Sequence, residues 1–197
     1  SLEDLLVNMV SDKKEWCKKF GIQTEWNTDK LPGVFLTDKG REYVSERFSQ
    51  LTDMGITVIE LPPYRPDLKG PIEKFFDLIQ ESYKPMLKGK GVIEKDFQKR
   101  GSHDYQLDAC LTIHEFEKIV LHCIIHYNEK RILKNFPYDE EMLQAHVAPF
   151  ASQIFTFGLT KEGVQLIEAT KEEIHLTLLP RTTGKFARTG LKVNKMR

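Results

Sequence analysis

The sequence predicts an α/β chain with a small β-rich piece after about residue 150. Three observations predict it. Apolar residues recur at helical spacing over 2–20, 41–54, 71–86 and 113–130. Two short apolar and β-branched runs, Val34-Phe35-Leu36 and Thr57-Val58-Ile59-Glu60-Leu61, lie between those helices. Beyond about 150 the long helical periods give way to short, glycine-punctuated segments. The expected division is therefore 1–150 and 151–197.

Over residues 2–20, Leu2, Leu5, Leu6, Met9, Lys13, Trp16, Cys17 and Phe20 share one helical face, and Gly21 is a stop signal. Val34-Phe35-Leu36 is expected to be a buried strand. In 41–54, Val44, Phe48 and Leu51 point inward and Gly55 follows. Pro62 and Pro63 end the strand that starts at Thr57. Pro71 suits the first turn of the next helix, whose buried face is Ile72, Phe75, Phe76, Ile79 and Tyr83. Lys88 to Asp108 reads as a polar loop. Thr112-Ile113-His114-Glu115 is a capping box opening a helix with Phe116, Ile119, Val120, Cys123, Ile124 and Tyr127 inward. A short helix follows around Glu140 to His146. Ile154-Phe155-Thr156-Phe157-Gly158 and Val164-Gln165-Leu166-Ile167 are expected to be short strands or irregular segments. Thr170-Lys171-Glu172-Glu173 is a second capping box, Pro180 stops its helix, and 183–196 alternate as a hairpin.

At 197 residues and 40% apolar content, the chain can hold one ordinary domain and a smaller appendage. Lys+Arg and Asp+Glu balance at 29 each, so net charge carries no nucleic-acid signal. Local charge does: Arg181 to Arg197 holds six basic residues and no acidic one, and Lys84 to Arg100 six against two. Three widely spaced cysteines, Cys17, Cys110 and Cys123, argue against a disulfide framework and fit a reducing cytoplasm. No apolar run is long enough to span a membrane, and the start does not read as a signal peptide. The expectation is a soluble, cytoplasmic protein.

Two carboxylates stand out, with 34 residues between them. Asp38 follows a strand and precedes a helix, where ligands gather in open α/β sheets; it is equally the residue a plain turn or helix cap would use. Glu73 falls in the first turn of its helix. The helix dipole favours an acid there, and also keeps a metal-ligating carboxylate ionised. Asp77, Gln80 and Lys84 share its face at helical spacing.

Together the setting resembles the catalytic core of DDE transposases and retroviral-type integrases: strand-Asp-Gly-helix, strand, Pro-rich stretch, then a helix carrying Glu. Tyr64 to Phe76 is similar to the glutamate motif of bacterial transposases related to that of phage Mu. Leu178-Leu179-Pro180-Arg181-Thr182-Thr183-Gly184-Lys185 resembles the start of the β-barrel that follows the core in that group, and Tyr127-Asn128-Glu129-Lys130 its helix-end motif. The resemblance covers most of 33–87 and 113–197. It implies an RNase H-like core over 1–150, incomplete, and the start of a barrel over 151–197. It also implies DNA 3′-end cleavage and strand transfer, with transposon ends and target DNA as partners and a homo-oligomer on paired ends. Asp38 and Glu73 would be catalytic ligands of two Mg²⁺ or Mn²⁺ ions, whose hard character suits carboxylate oxygen. Lys69, Lys74, Lys84, Arg181, Arg188 and Lys192 are candidate phosphate contacts. A DNA protein of this kind would be nucleoid-associated.

Lys39 stands where integrase cores often have Asn. No residue before Asp38 suits the first of the three carboxylates, since Asp4, Asp12 and Asp29 are not on a plausible strand. The expectation is a chain beginning within the core, inactive alone. An RNase H-like nuclease, or a non-catalytic DNA-binding or assembly module derived from a transposase, are the alternative readings. His122 and His126 lie one helical turn apart near Cys123, without a tetrahedral ligand set for zinc.

Overall fold

The computed structural model describes residues 1–37, 49–62, 70–87, 105–188 and 190–193. In chain order these form α1 (Leu2–Val10), α2 (Lys13–Lys19), β1 (Leu31–Pro32), β2 (Val34–Thr37), β3 (Thr57–Glu60) and α3 (Gly70–Tyr83). There follow α4 (Ile113–Glu129), α5 (Glu140–Gln144), α6 (Ala151–Gly158), β4 (Leu166–Ile167), α7 (Lys171–Thr177), β5 (Gly184–Ala187) and β6 (Gly190–Val193). Tight 3-10 turns cover Gln50–Met54 and Lys84–Leu87, and one helical turn covers Tyr105–Asp108. The fold is mixed α/β. It divides into two compact units: Ser1–Ser11 with Asp29–Pro63 and Gln165–Arg197, and Asp12–Thr28 with Tyr64–Val164.

The first unit is built on β2 and β3, which pair in parallel from Val34↔Thr57 to Thr37↔Glu60. Strand side chains alternate faces. One face, with Phe35 and Val58, packs on a core of Leu6, Leu31, Leu51, Ile56, Ile174 and Leu178. The other carries Val34, Leu36 and Ile59, of which Leu36 is 60% exposed. The expected burial of β2 therefore holds for one face only. Gly55, at φ 81°, ends the 3-10 turn in a left-handed conformation that glycine adopts freely, and Ile56 N–H then returns to Leu51 O (3.2 Å). Helices α1 and α7 pack together, and α7 opens with the expected Thr170–Glu173 capping box.

In the second unit α4 is apolar on two sides. Leu121 and Ile125, absent from the predicted inner face, pack with Cys17, Phe20 and Ile22. Phe116 and Tyr127 meet Tyr83 and Phe75 of α3 edge-on. Trp16 Nε1–H donates to Glu117 Oε1 at 3.1 Å, joining α2 to α4.

Four expectations are corrected. The helix over 2–20 is two helices: Ser11 is extended, and the Asp12 side chain accepts from Glu15 N–H to cap a new start. On α3 the stripe 75–79–83 faces α4, which leaves Ile72 and Phe76 outside it and exposed. Residues 154–158 are helical, because Ala151, Ile154, Phe157 and Gly158 follow a 3.6-residue period against α4 despite their β-favouring neighbours. Tyr105–Asp108 is a helical turn within the segment read as loop. Most of the helix expected over 41–54 lies outside the described residues; its end, Gln50–Met54, winds as 3-10.

Candidate functional site

The carboxyl end of β2 is Thr37. Its side chain is buried, and its Oγ1 has no hydrogen-bond partner among the described residues. Thr37 O accepts from Leu61 N–H at 2.7 Å, which extends the parallel pair past β3. Asp38 is the next residue; it lies outside the described residues, as does Lys69.

Glu73 sits in the first turn of α3, exposed, the one acid there. Pro71 is beside it at the helix start, where its missing N–H costs no hydrogen bond. Lys74 and Asp77 are exposed as well. Lys84 is half-buried at the far end of the helix and donates from Nζ to Gln80 Oε1 at 3.2 Å. The polar face expected around Glu73 thus exists, with Lys84 already engaged by Gln80. No group of three His, Cys, Asp or Glu side chains suited to a metal forms among the described residues. His122 and His126 are exposed on α4 while Cys123 is buried, so these three do not converge.

The basic candidates separate into two kinds. Arg181 is held by Asp53, with Nη2 to Oδ2 at 2.5 Å. Arg188 is exposed at the turn between β5 and β6. Lys192 is exposed on β6 and stands opposite Lys185 of β5 in the antiparallel register. Lys185 was not among the residues singled out from sequence. The hairpin alternation over 183–196 contains the signal, since the pairing register fixes which residues face each other.

A family model described as the TnsB C-terminal domain matches residues 1–89, a stretch that includes Asp38 and Glu73. The chain is 26% identical over 191 residues to the transposon Tn7 transposition protein TnsB of Escherichia coli. The aligned stretch covers 95% of this chain and 27% of that protein. This chain is similar to a transposition protein. It spans about a quarter of that relative's length.

Proposed function

We propose that this chain is the C-terminal part of a DDE transposase that cuts DNA 3′ ends and joins them to target DNA. In this reading residues 1–150 are an incomplete RNase H-like core, and 151–197 begin a β-barrel. The observation that carries it is the parallel β2–β3 pair, whose first strand runs directly into Asp38. Ligands collect at the carboxyl ends of parallel strands. The helix after the Pro-rich stretch supplies Glu73, and similarity to a transposition protein runs along 95% of the chain.

Asp38 and Glu73 would each offer hard oxygen donors to Mg²⁺ or Mn²⁺. Glu73 fits that role: it is exposed in a helical first turn. Two such ions, when bound, polarise an attacking water or 3′-hydroxyl and the leaving oxygen. In this reading the chain's own task would be to supply the two carboxylates, Asp38 following β2 in sequence and Glu73 in the first turn of α3. Asp4, Asp12 and Asp29, the aspartates before Asp38, lie on no strand, so in this reading the chain alone is expected to be inactive. Exposed cations on β5–β6 would bind the DNA backbone, and the working form would be a multimer on paired ends, at the nucleoid.

The test is metal-dependent strand transfer by the longer protein that contains this chain. Asp38→Asn and Glu73→Gln should each reduce it by about three orders of magnitude, matching the several kcal/mol a Lewis-acid ion contributes. DNA binding should persist in both. Unchanged strand transfer in either variant would overturn the assignment.

A further inference from the structure

A cleft of about 580 Å³ opens within the second unit, between the loop at 25–28, the end of α4 and the first turn of α6. That volume is in the range of small-ligand and side-chain pockets. Trp26 and Phe155 give it aromatic surface, and Asn27, Asn128 and Gln153 give it carboxamides. None of these three carboxamides has a hydrogen-bond partner among the described residues. The Trp26 ring is held in place, because its Nε1–H donates to Thr28 Oγ1 at 2.6 Å.

The charges of the lining are unequal. Lys14 Nζ pairs with Glu25 Oε2 at 3.0 Å, so those two offset each other. Glu129 remains. Its Oε1 accepts from Thr24 Oγ1 (2.5 Å) and from Glu25 N–H (3.1 Å), which fixes the carboxylate; Oε2 has no partner among the described residues. The Glu129 charge is felt inside the unit: after burial, it is the next cause that pushes the Cys17 thiol up. The cleft therefore combines one fixed, uncommitted carboxylate oxygen, carboxamide acceptors and an aromatic face.

Net negative charge disfavours a phosphate or any other anion here. A guanidinium suits all three features: it is planar and always charged, it presents several donors in one plane, and it stacks on aromatic rings. A lysine ammonium is a compact point charge and uses fewer of them. The first turn of α6 lines the same wall and has no side-chain cap, so its amides could receive a backbone carbonyl of the bound segment.

We propose that this cleft receives an arginine side chain of a partner protein, stacked on Trp26 and bonded to Glu129 Oε2 and the carboxamide oxygens. The proposal goes beyond the transposase reading and does not depend on the metal ligands.

The test titrates acetyl-Gly-Arg-Gly-amide into ¹⁵N-labelled protein, with citrulline and lysine counterparts. The arginine peptide should move the Trp26 indole N–H and the amides of 151–153, saturating in the low-millimolar range. Citrulline has nearly the same shape without the charge, and should bind at least about tenfold more weakly. Glu129→Gln should weaken the arginine peptide by about the same factor. Because Glu129 also ties down the 24–25 loop, Gln153→Ala and Asn128→Ala provide a second check at positions outside the core, and each should weaken binding several-fold. Absence of shifts up to about 20 mM peptide, equal response to citrulline, or shifts away from the cleft would each overturn the proposal. So would the same resonances moving on concentration of the protein alone, which would identify a second copy as the occupant.

Discussion

Lys185 of β5 stands directly opposite Lys192 of β6, on a hairpin with no acidic residue. Like charges facing each other across strands repel. Phe186 and Leu191 form the neighbouring cross-strand pair, so the other face of the hairpin is apolar, with Phe186 92% exposed. A row of phosphates would relieve the repulsion between the lysines. Each phosphate neutralised contributes about 0.9 to the slope of log affinity against log salt.

Replacing both lysines, in Lys185→Gln with Lys192→Gln, should lower that slope by about two for duplex DNA. Fluorescence anisotropy across a salt series reads it. Arg181→Gln should change the slope little, since Arg181 is already engaged by Asp53. Lys192→Glu separates the two roles of the pair: it replaces repulsion by attraction and should steady the hairpin, while DNA binding falls. An unaltered slope in the double glutamine variant would remove this hairpin from the DNA interface.

Leu121 is 1% exposed and packs among Cys17, Phe20, Ile22 and Ile125. Leu121→Ala removes an isopropyl group from a filled space and leaves a cavity. It should destabilise its unit by about 2–5 kcal/mol. On the same helix Ile113 is 81% exposed, and Ile113→Ala should stay within about 0.5 kcal/mol. Urea unfolding of the two variants makes the comparison. Similar losses would mean that α4 buries a different face.

Asp139 caps α5, accepting from Met142 N–H at 2.8 Å, and pairs with Lys161. The Lys161 hydrogen bond first, and the Met142 amide next, hold the Asp139 carboxyl below its usual value; Lys161 is raised in turn, chiefly by Asp139. A carboxylate with a lowered folded-state pKa adds stability that is complete above the unfolded value. That stability is lost as pH falls through the lowered value. Acid should therefore loosen α5 below about pH 4. Hydrogen exchange at the Met142 amide should accelerate there relative to α4, after allowance for the intrinsic pH dependence. In Asp139→Asn the extra acid sensitivity should disappear, since the neutral side chain still caps the helix.

The capping boxes, the two central strands and the long α4 were legible because their signals are local: a cap three residues before its acid, or a run of β-branched residues. Contacts made far along the chain were not. The burial of Leu121 and Ile125 is not local, because the partners that make α4 apolar on a second side come from 17–22. Residues 154–158 looked extended because two phenylalanines and a β-branched isoleucine outweighed a period that only α4 reveals. For the candidate site, Glu73 was placed correctly in a helical first turn, whereas Arg181 looked free because its partner Asp53 is distant in sequence. The Asp38–Glu73 pair was suggested by spacing and setting, and Asp38 is outside the described residues.

Gly33 lies between β1 and β2 and donates its N–H to Gln165 O at 3.0 Å. A Cβ at Gly33 would come within 2.9 Å of that same carbonyl oxygen and 3.0 Å of the Gln165 Cβ. The oxygen is backbone and cannot rotate away, so the chain just before β2 would have to shift. Gly33→Ala should cost about 1–3 kcal/mol, the usual penalty of forced overpacking. Gly158, at the end of α6, faces open space at an ordinary helical φ. There the alanine restricts the unfolded chain without a clash, and Gly158→Ala should gain about 0.4–1 kcal/mol. Thermal melts of the two variants should move in opposite directions. A neutral Gly33→Ala would mean that the segment leading into Asp38 does not run against Gln165.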